Sequence, residues 1–333
     1  MLWTLVYGCT YNQSTQTMEH IMQRPSWVKQ SVQAGNDYHI RHQSPSKHNT
    51  INILAMSLLW LSIISGLYVS TVVHWAWYPL LGVILGAALF AHFILVIHEA
   101  SHNMLLISKN MDTRKKINHI LGVIASTPFF TDYVRHWEDG HVTHHLRPCE
   151  ADDPQNPNPL YGKPLLKKFA QIWFIPFGFL SANPSSQYPG KMKRLLYGTC
   201  CITPVVATLY FLQPMSLIVL YLAFTVLSCL NLCKIAQEHG AGLAHEDDAF
   251  LRSRTYFYPL QWLFSPFNIN YHYEHHANFN VPWYLLPTYH AKVKEIIPAS
   301  LQNYYIHHEY IGQMMGWKEL PNWETIENTA ESV

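Results

Sequence analysis

The chain is short of charge. Asp, Glu, Lys and Arg make up only 13% of its 333 residues, where a soluble domain carries about 25%. The deficit is concentrated: no charged side chain occurs from Ile51 to Ile97, and neither charge nor histidine from Leu195 to Cys233. Stretches of that kind do not suit a water-exposed fold and point to a membrane. A net charge of +1, with no basic run interleaved with aromatics, excludes a nucleic-acid surface. Cysteine is also sparse. Of the six, Cys200, Cys201, Cys229 and Cys233 sit inside apolar runs, Cys9 and Cys149 stand alone, and no Cys-x-x-Cys occurs. That excludes a zinc ribbon or a disulfide framework, and the cysteines read as membrane-buried hydrophobes. The opening Met1 to Thr10 is too short and too poorly flanked for a secretory signal, so the chain is expected to start in the cytosol.

What is present is length enough to cross a bilayer four times. Ile51 to Ile97 holds two spans of about 20 residues each, turning near His74, Trp75, Trp77, Tyr78 and Pro79, where Trp and Tyr suit the headgroup level. Leu195 to Cys233 forms a second hairpin broken at Gln213-Pro214. Between them, Ile117 to Phe130 and Phe169 to Leu180 are apolar but too short to span, and are expected to lie along the interface or in a core. The segments outside the hairpins all emerge on one side, and they carry all 22 Lys and Arg, while the hairpin turns carry none. By the positive-inside rule that side is the cytosol.

The same side carries the histidines. His141, His144 and His145 form His-x-x-His-His, as do His272, His275 and His276, and His98 and His102 form an i, i+4 pair. At the frequency of 21 histidines in the chain, about 0.08 His-x-x-His-His patterns are expected by chance, and two are present. In a helix such spacing is expected to project the imidazoles from one face. His20, His39, His42, His48, His74, His92, His119, His245, His307 and His308 are read as ordinary polar or surface residues. Eight clustered imidazoles exceed the coordination of one ion and imply two metals. A pair of irons handling dioxygen gains from many nitrogen ligands with positions left open, whereas zinc needs no such excess. The few nearby carboxylates, Glu99, Glu138, Glu238 and Glu274, are read as partners that orient imidazoles or as structural ion pairs. His136 is read as another such partner or a surface residue.

The boxes His98-Glu-Ala-Ser-His102, His141-Val-Thr-His-His145 and Tyr271-His-Tyr-Glu-His-His276, with Asp152-Asp153-Pro154 after the second and Val281-Pro-Trp-Tyr-Leu-Leu-Pro287 followed by His290 after the third, resemble the membrane-bound fatty acid desaturase superfamily, the histidine-box di-iron enzymes. The resemblance covers roughly residues 50 to 295. It implies an all-α integral membrane protein, with four transmembrane helices in two hairpins and a cytosolic helical cap holding the boxes. Residues 1–49 and 296–333 would be flanking cytosolic segments. It implies two Fe ions ligated by His98, His102, His141, His144, His145, His272, His275 and His276, with His239 as a ninth ligand. Where acyl-CoA desaturases carry Asn four residues before that last histidine, this chain has Ile235. It further implies that two electrons and O2 supply the power to remove hydrogen from an unactivated C–H bond of a lipid or fatty acyl substrate. A second hydrogen removal gives a double bond, and oxygen insertion gives an alcohol. No His-Pro-Gly-Gly signature is present, so electrons are expected from a separate donor of ferredoxin or cytochrome b5 type.

Within that superfamily a hydroxylase or ketolase shares the boxes. From other classes, a membrane zinc metalloprotease would use His98-Glu99-x-x-His102 with Glu99 as general base, leaving two clusters idle. A metal transporter would place its ligands near the bilayer midplane, where only His92 lies.

Overall fold

The structure is a computed structural model that describes residues 25–150, 152–155, 163–174, 190–239, 243, 246 and 248–308. His20, His245, the side chain of His307 and the end of the Phe169–Leu180 stretch lie outside the described residues. Helix α1 spans Ser26–Ala34 and α2 spans Pro45–Ser70, with Pro45 at the first turn, where its missing N–H costs nothing. After the Trp75–Trp77 turn, α3 runs Tyr78–His92. It continues through a π-helical turn, Phe93–His98, and a last α-turn, Glu99–Ser101. On the cap, α4 is Met111–Ser126 and α5 is Gly140–Leu146. Next come α6 at Lys163–Phe174, α7 at Lys191–Leu212 and α8 at Ser216–His239. Helices α9 (His272–Ala277), α10 (Leu286–Ile296) and α11 (Ala299–Tyr305) complete the cap. Thr255–Tyr256 (β1) pairs in parallel with Ile306–His307 (β2), a two-residue addition to an otherwise helical fold.

Among the described residues, four helices are long and apolar enough to cross a membrane: Pro45–Ser70, Trp75–Ser101, Lys191–Leu212 and Ser216–His239. They are not equivalent. The apolar windows of Trp75–Ser101 and of α8 are 67% and 50% buried, against 11% for each of α2 and α7, so the first two form the core and the other two face lipid. The close approach of α3 and α8 depends on Gly82 and Gly86. A Cβ there would come within 2.5 Å of Leu222 Cβ and 2.6 Å of Val226 Cβ. In a bilayer, where hydrophobicity does not drive helices together, such small-residue contacts do.

The cap is fastened to this core by side chains that the sequence pattern did not single out. His48 Nε2 donates to Met104 O (2.6 Å), Asn52 Nδ2 to Leu105 O (2.8 Å) and Trp283 Nε1 to Asn52 Oδ1 (2.9 Å). The start of α2 thereby holds both the exit from the first box and the segment after the third. Helix α6 rests on α8 through Ile172 against Leu232 and Ala236, and Tyr221 Oη donates to Trp173 O (2.8 Å). The amphipathic α4 buries Asn118, Gly122 and Ala125 and exposes Ile120 and Ile124. Helix α1 packs on the third-box region, with Tyr289 Oη donating to Ser31 O (2.7 Å).

Candidate metal centre

Two of the three histidine boxes directly follow or close a π-helical turn. Phe93–His98 ends on His98, and Tyr133–Glu138 precedes α5, with Asp139 N bonding back five residues to Val134 O at 2.8 Å; just beyond the first turn, Met104 N bonds back five residues to Glu99 O at 2.8 Å. Such turns widen a helix locally and recur at functional sites. Hydrophobic periodicity does not reveal them.

All nine candidate histidines are buried, and they form two groups. His98, His102, His141, His145 and His275 make one; His144, His239, His272 and His276 make the other, with the ligand atoms of each group within 4.8 Å of one another. Against the expectation from their spacing, the boxes of three do not present all their rings to one site. At about 100° per residue, i and i+4 lie about 40° apart, while i+3 lies about 60° from the first and 100° from the other. Box two sends its i, i+4 pair His141 and His145 to the five-histidine group and His144 to the other. Box three does the reverse, sending His272 and His276 to the four-histidine group and His275 to the first. The two boxes thus interlock. His239, the last residue of α8, completes the smaller group.

Within the groups, ring nitrogens face one another: His98 Nε2 and His275 Nε2 at 3.1 Å, His141 Nε2 and His145 Nε2 at 3.2 Å, and His239 Nε2 and His272 Nε2 at 2.9 Å. Several Nδ1 protons are taken from behind. His144 Nδ1 donates to Asp153 (3.0 Å), His141 Nδ1 to Gln155 Oε1 (3.1 Å) and His239 Nδ1 to Arg252 O (2.7 Å). Glu238 Oε1 lies 3.1 Å from His272 Nδ1, within ion-pair reach though off the line of a hydrogen bond, and its other oxygen meets Lys234 Nζ at 2.5 Å. Rings held this way keep a bare lone pair on Nε2. Burial first, then neighbouring imidazoles, holds His141, His145, His272, His275 and His276 well below the usual imidazole range and His102 at about 3. Those six rings are therefore neutral at physiological pH. Both nitrogens of His276 and Nε2 of His102 are buried without a hydrogen-bond partner, a costly arrangement. Convergent neutral lone pairs and orphaned ring nitrogens fit a first-row transition metal in each group.

The carboxylates divide. Glu238 and Glu99 approach the rings, Glu99 Oε1 lying 3.3 Å from His98 Nδ1. Glu274 instead joins the Thr255 hydroxyl and His290 Nδ1 (2.7 Å). Glu138 pairs with His119 at 2.9 Å on the partly exposed face of α4. His136 is buried against Trp137, its Nδ1 unpartnered, and burial pulls its pKa down to about 4. Asp153, Gln155 and Arg252 were not picked out as ring partners from sequence. The Asp-Asp-Pro stretch after box two was the one available signal. Aromatic walls flank the five-histidine group: Trp137 lies 5.4 Å from His141, and Phe279 stacks on His102 at 5.4 Å.

Residues 74–308 match the family described as Fatty acid desaturase. The chain belongs to the fatty acid desaturase family. This desaturase is 27% identical over 246 residues to a sphingolipid delta(4)-desaturase/C4-monooxygenase of Bos taurus, covering 71% of each chain. It is 28% identical over 245 residues to the protein of the same description from Homo sapiens, again covering 71% of each. It is 26% identical over 264 residues to a sphingolipid delta(4)-desaturase of Gallus gallus, covering 74% of this chain and 78% of that one. The desaturase is thus a membrane oxidoreductase acting on lipid by desaturation or hydroxylation. The zinc-protease reading falls with this assignment. Its two histidines belong to a five-imidazole group, and Glu99 approaches Nδ1 of His98 while Nε2 faces His275.

Proposed function

We propose that this desaturase holds two iron ions, one in each histidine group, and introduces a C=C bond into the fatty chain of a sphingolipid-type lipid. The observation that carries the reading is the interlocked pair of buried imidazole groups, five and four strong, assembled from two short cap helices and the ends of the two core spans that carry His98 and His239. The relatives' names support a sphingolipid as the substrate class. Iron, with O2 and two electrons, would supply the power to break an unactivated C–H bond. The balance is one saturated CH2–CH2 unit, O2, two electrons and two protons giving one alkene and two waters. Hydroxylation, the second reading, inserts one oxygen and releases one water, and is favoured by the paired desaturase and monooxygenase activities in two relatives' names.

The protein's own part is positioning. Asp153, Gln155 and the Arg252 carbonyl take Nδ1 protons and so keep Nε2 of three rings free for metal. Trp137 and Phe279 pack on rings of the five-histidine group, with Phe93 behind Trp137, and would exclude water, which a C–H oxidation requires. Residues 50–295 would be the membrane-embedded unit with its cap, flanked by cytosolic segments. The boxes would face the cytosol, as the one-sided Lys and Arg argue, and electrons would come from a separate ferredoxin or cytochrome b5 type carrier.

Lipid analysis of a host expressing the protein, beside His272→Ala, tests the reading together with iron per purified chain. A new unsaturated or hydroxylated lipid and bound iron, both reduced in the variant, are expected. No new lipid together with iron-free protein overturns it. In the same cells, impermeant thiol labelling should reach a Cys placed at Ala76 and not one at Ser101 or Asn278.

A further inference from the structure

The four-histidine group has an anchor outside every box. Arg252 follows the short turn Ala249–Leu251, which Asp248 caps by accepting from Phe250 N (3.1 Å). Its main-chain oxygen accepts His239 Nδ1 at 2.7 Å. Its guanidinium, 14% exposed, donates from Nε to Glu246 O (2.8 Å) and from Nη1 to Pro148 O (3.1 Å) and Glu150 Oε1 (3.0 Å). Pro148 to Glu150 is the turn between His145 and Asp153. Cys149 sits there in the left-handed region at φ 68°, unusual for a residue with a Cβ. Its N–H donates to Asp153 Oδ2 (2.9 Å), and Asp153 N donates to Glu150 O (3.1 Å). Asp153 in turn holds His144 Nδ1.

Two routes therefore lead from one residue: its backbone to His239, and its side chain, through the turn, to Asp153 and His144. The two imidazoles that these routes end on lie 4.5 Å apart, centroid to centroid. We infer that Arg252 is a positioning residue that locks the aim of His144 and His239 on a common point. The inference rests on the four-histidine group being a metal site. Neither box could supply this lock, because His144 and His239 come from different elements, α5 and α8, and something must fix one backbone against the other. A planar fork suits that task. Three acceptors in different directions are met by one guanidinium, whereas a lysine ammonium on a flexible stem acts as a point charge.

The experiment titrates Fe2+ anaerobically into metal-stripped, detergent-purified full-length protein, comparing wild type with Arg252→Met, Arg252→Lys and the surface control Lys292→Met. Loss of a partner that orients a metal-bound imidazole costs about 10- to 100-fold in metal affinity. Arg252→Met should weaken one of the two irons by that factor and leave the other unchanged. Arg252→Lys should lose less, and Lys292→Met nothing. Should Arg252→Met fail to fold, Arg252→Lys keeps the buried charge and stem and still reads out the fork. Wild-type affinity at both sites in the Arg252 variants overturns the inference, as does equal weakening of both sites, which would mean a merely structural role. A wild type that binds no second iron removes the metal-site reading first and the inference with it.

Discussion

The two histidine groups differ in how their rings are backed. In the four-histidine group, His144 leans on the Asp153 carboxylate, His239 on the Arg252 carbonyl, and His272 faces Glu238. In the five-histidine group, His141 leans on the neutral amide of Gln155, and Glu99 stands 3.3 Å from His98. A carboxylate behind an imidazole raises its donor strength. On the proposed two-iron reading, the four-histidine group would have the more strongly backed rings, with two carboxylates behind them against one, and the five-histidine group would rely on number. The lesson is that a count of histidines does not rank metal sites. The partner behind each ring belongs to the donor set.

Removing one ring from each group tells the two groups apart most directly. His275→Ala and His276→Ala, which come from the same box helix, should each end turnover and each remove one of the two irons, but different ones. Loss of both irons from either variant would merge the groups into one cooperative site. The partners sharpen the contrast at smaller scale. Asp153→Asn keeps the size and removes the charge behind His144, and should weaken one iron by about 10- to 100-fold. Gln155→Leu, which removes a neutral acceptor from His141, should cost clearly less. Equal costs would show that charge behind the ring is not what distinguishes the groups. Metal titration of the two variants side by side gives the answer.

Much of this was legible in the chain and some was not, for identifiable reasons. The hairpins could be read because a 20-residue apolar run has few alternatives, and the turn at Gln213-Pro214 falls between α7 and α8. The box histidines could be read because His-x-x-His-His is rare by chance. Their division into two groups could not, since the same triplet serves opposite groups in α5 and α9 according to how the helices are turned, which is a tertiary fact. The π-turns before the first two boxes and the tight Gly82 and Gly86 contacts were equally invisible. Arg252 gave no signal at all, because its main chain does half of the work and a main chain carries no sequence signature.

Glu138 and Asp153 make the finest test, since both are carboxylates paired with a histidine Nδ1 at nearly equal distance, 2.9 Å and 3.0 Å. Burial separates them. The His144–Asp153 side chains are 3% and 0% exposed, those of His119–Glu138 44% and 29%. Water screens the exposed pair, and such pairs contribute about 0–1 kcal/mol. Asp153 is held in the cap interior by two further N–H donors, from Cys149 and Gln155, and acts on a ring that belongs to the four-histidine group. Glu138 acts on His119, which joins neither group. Glu138→Gln should therefore leave iron content and turnover within error of wild type and shift the melting temperature by no more than a degree or two, roughly the size a screened pair allows. A loss of iron in Glu138→Gln comparable to that in Asp153→Asn would mean that distance from carboxylate to imidazole matters more than burial or connection to the groups. That result would undo the basis on which the partners of the two groups have been ranked.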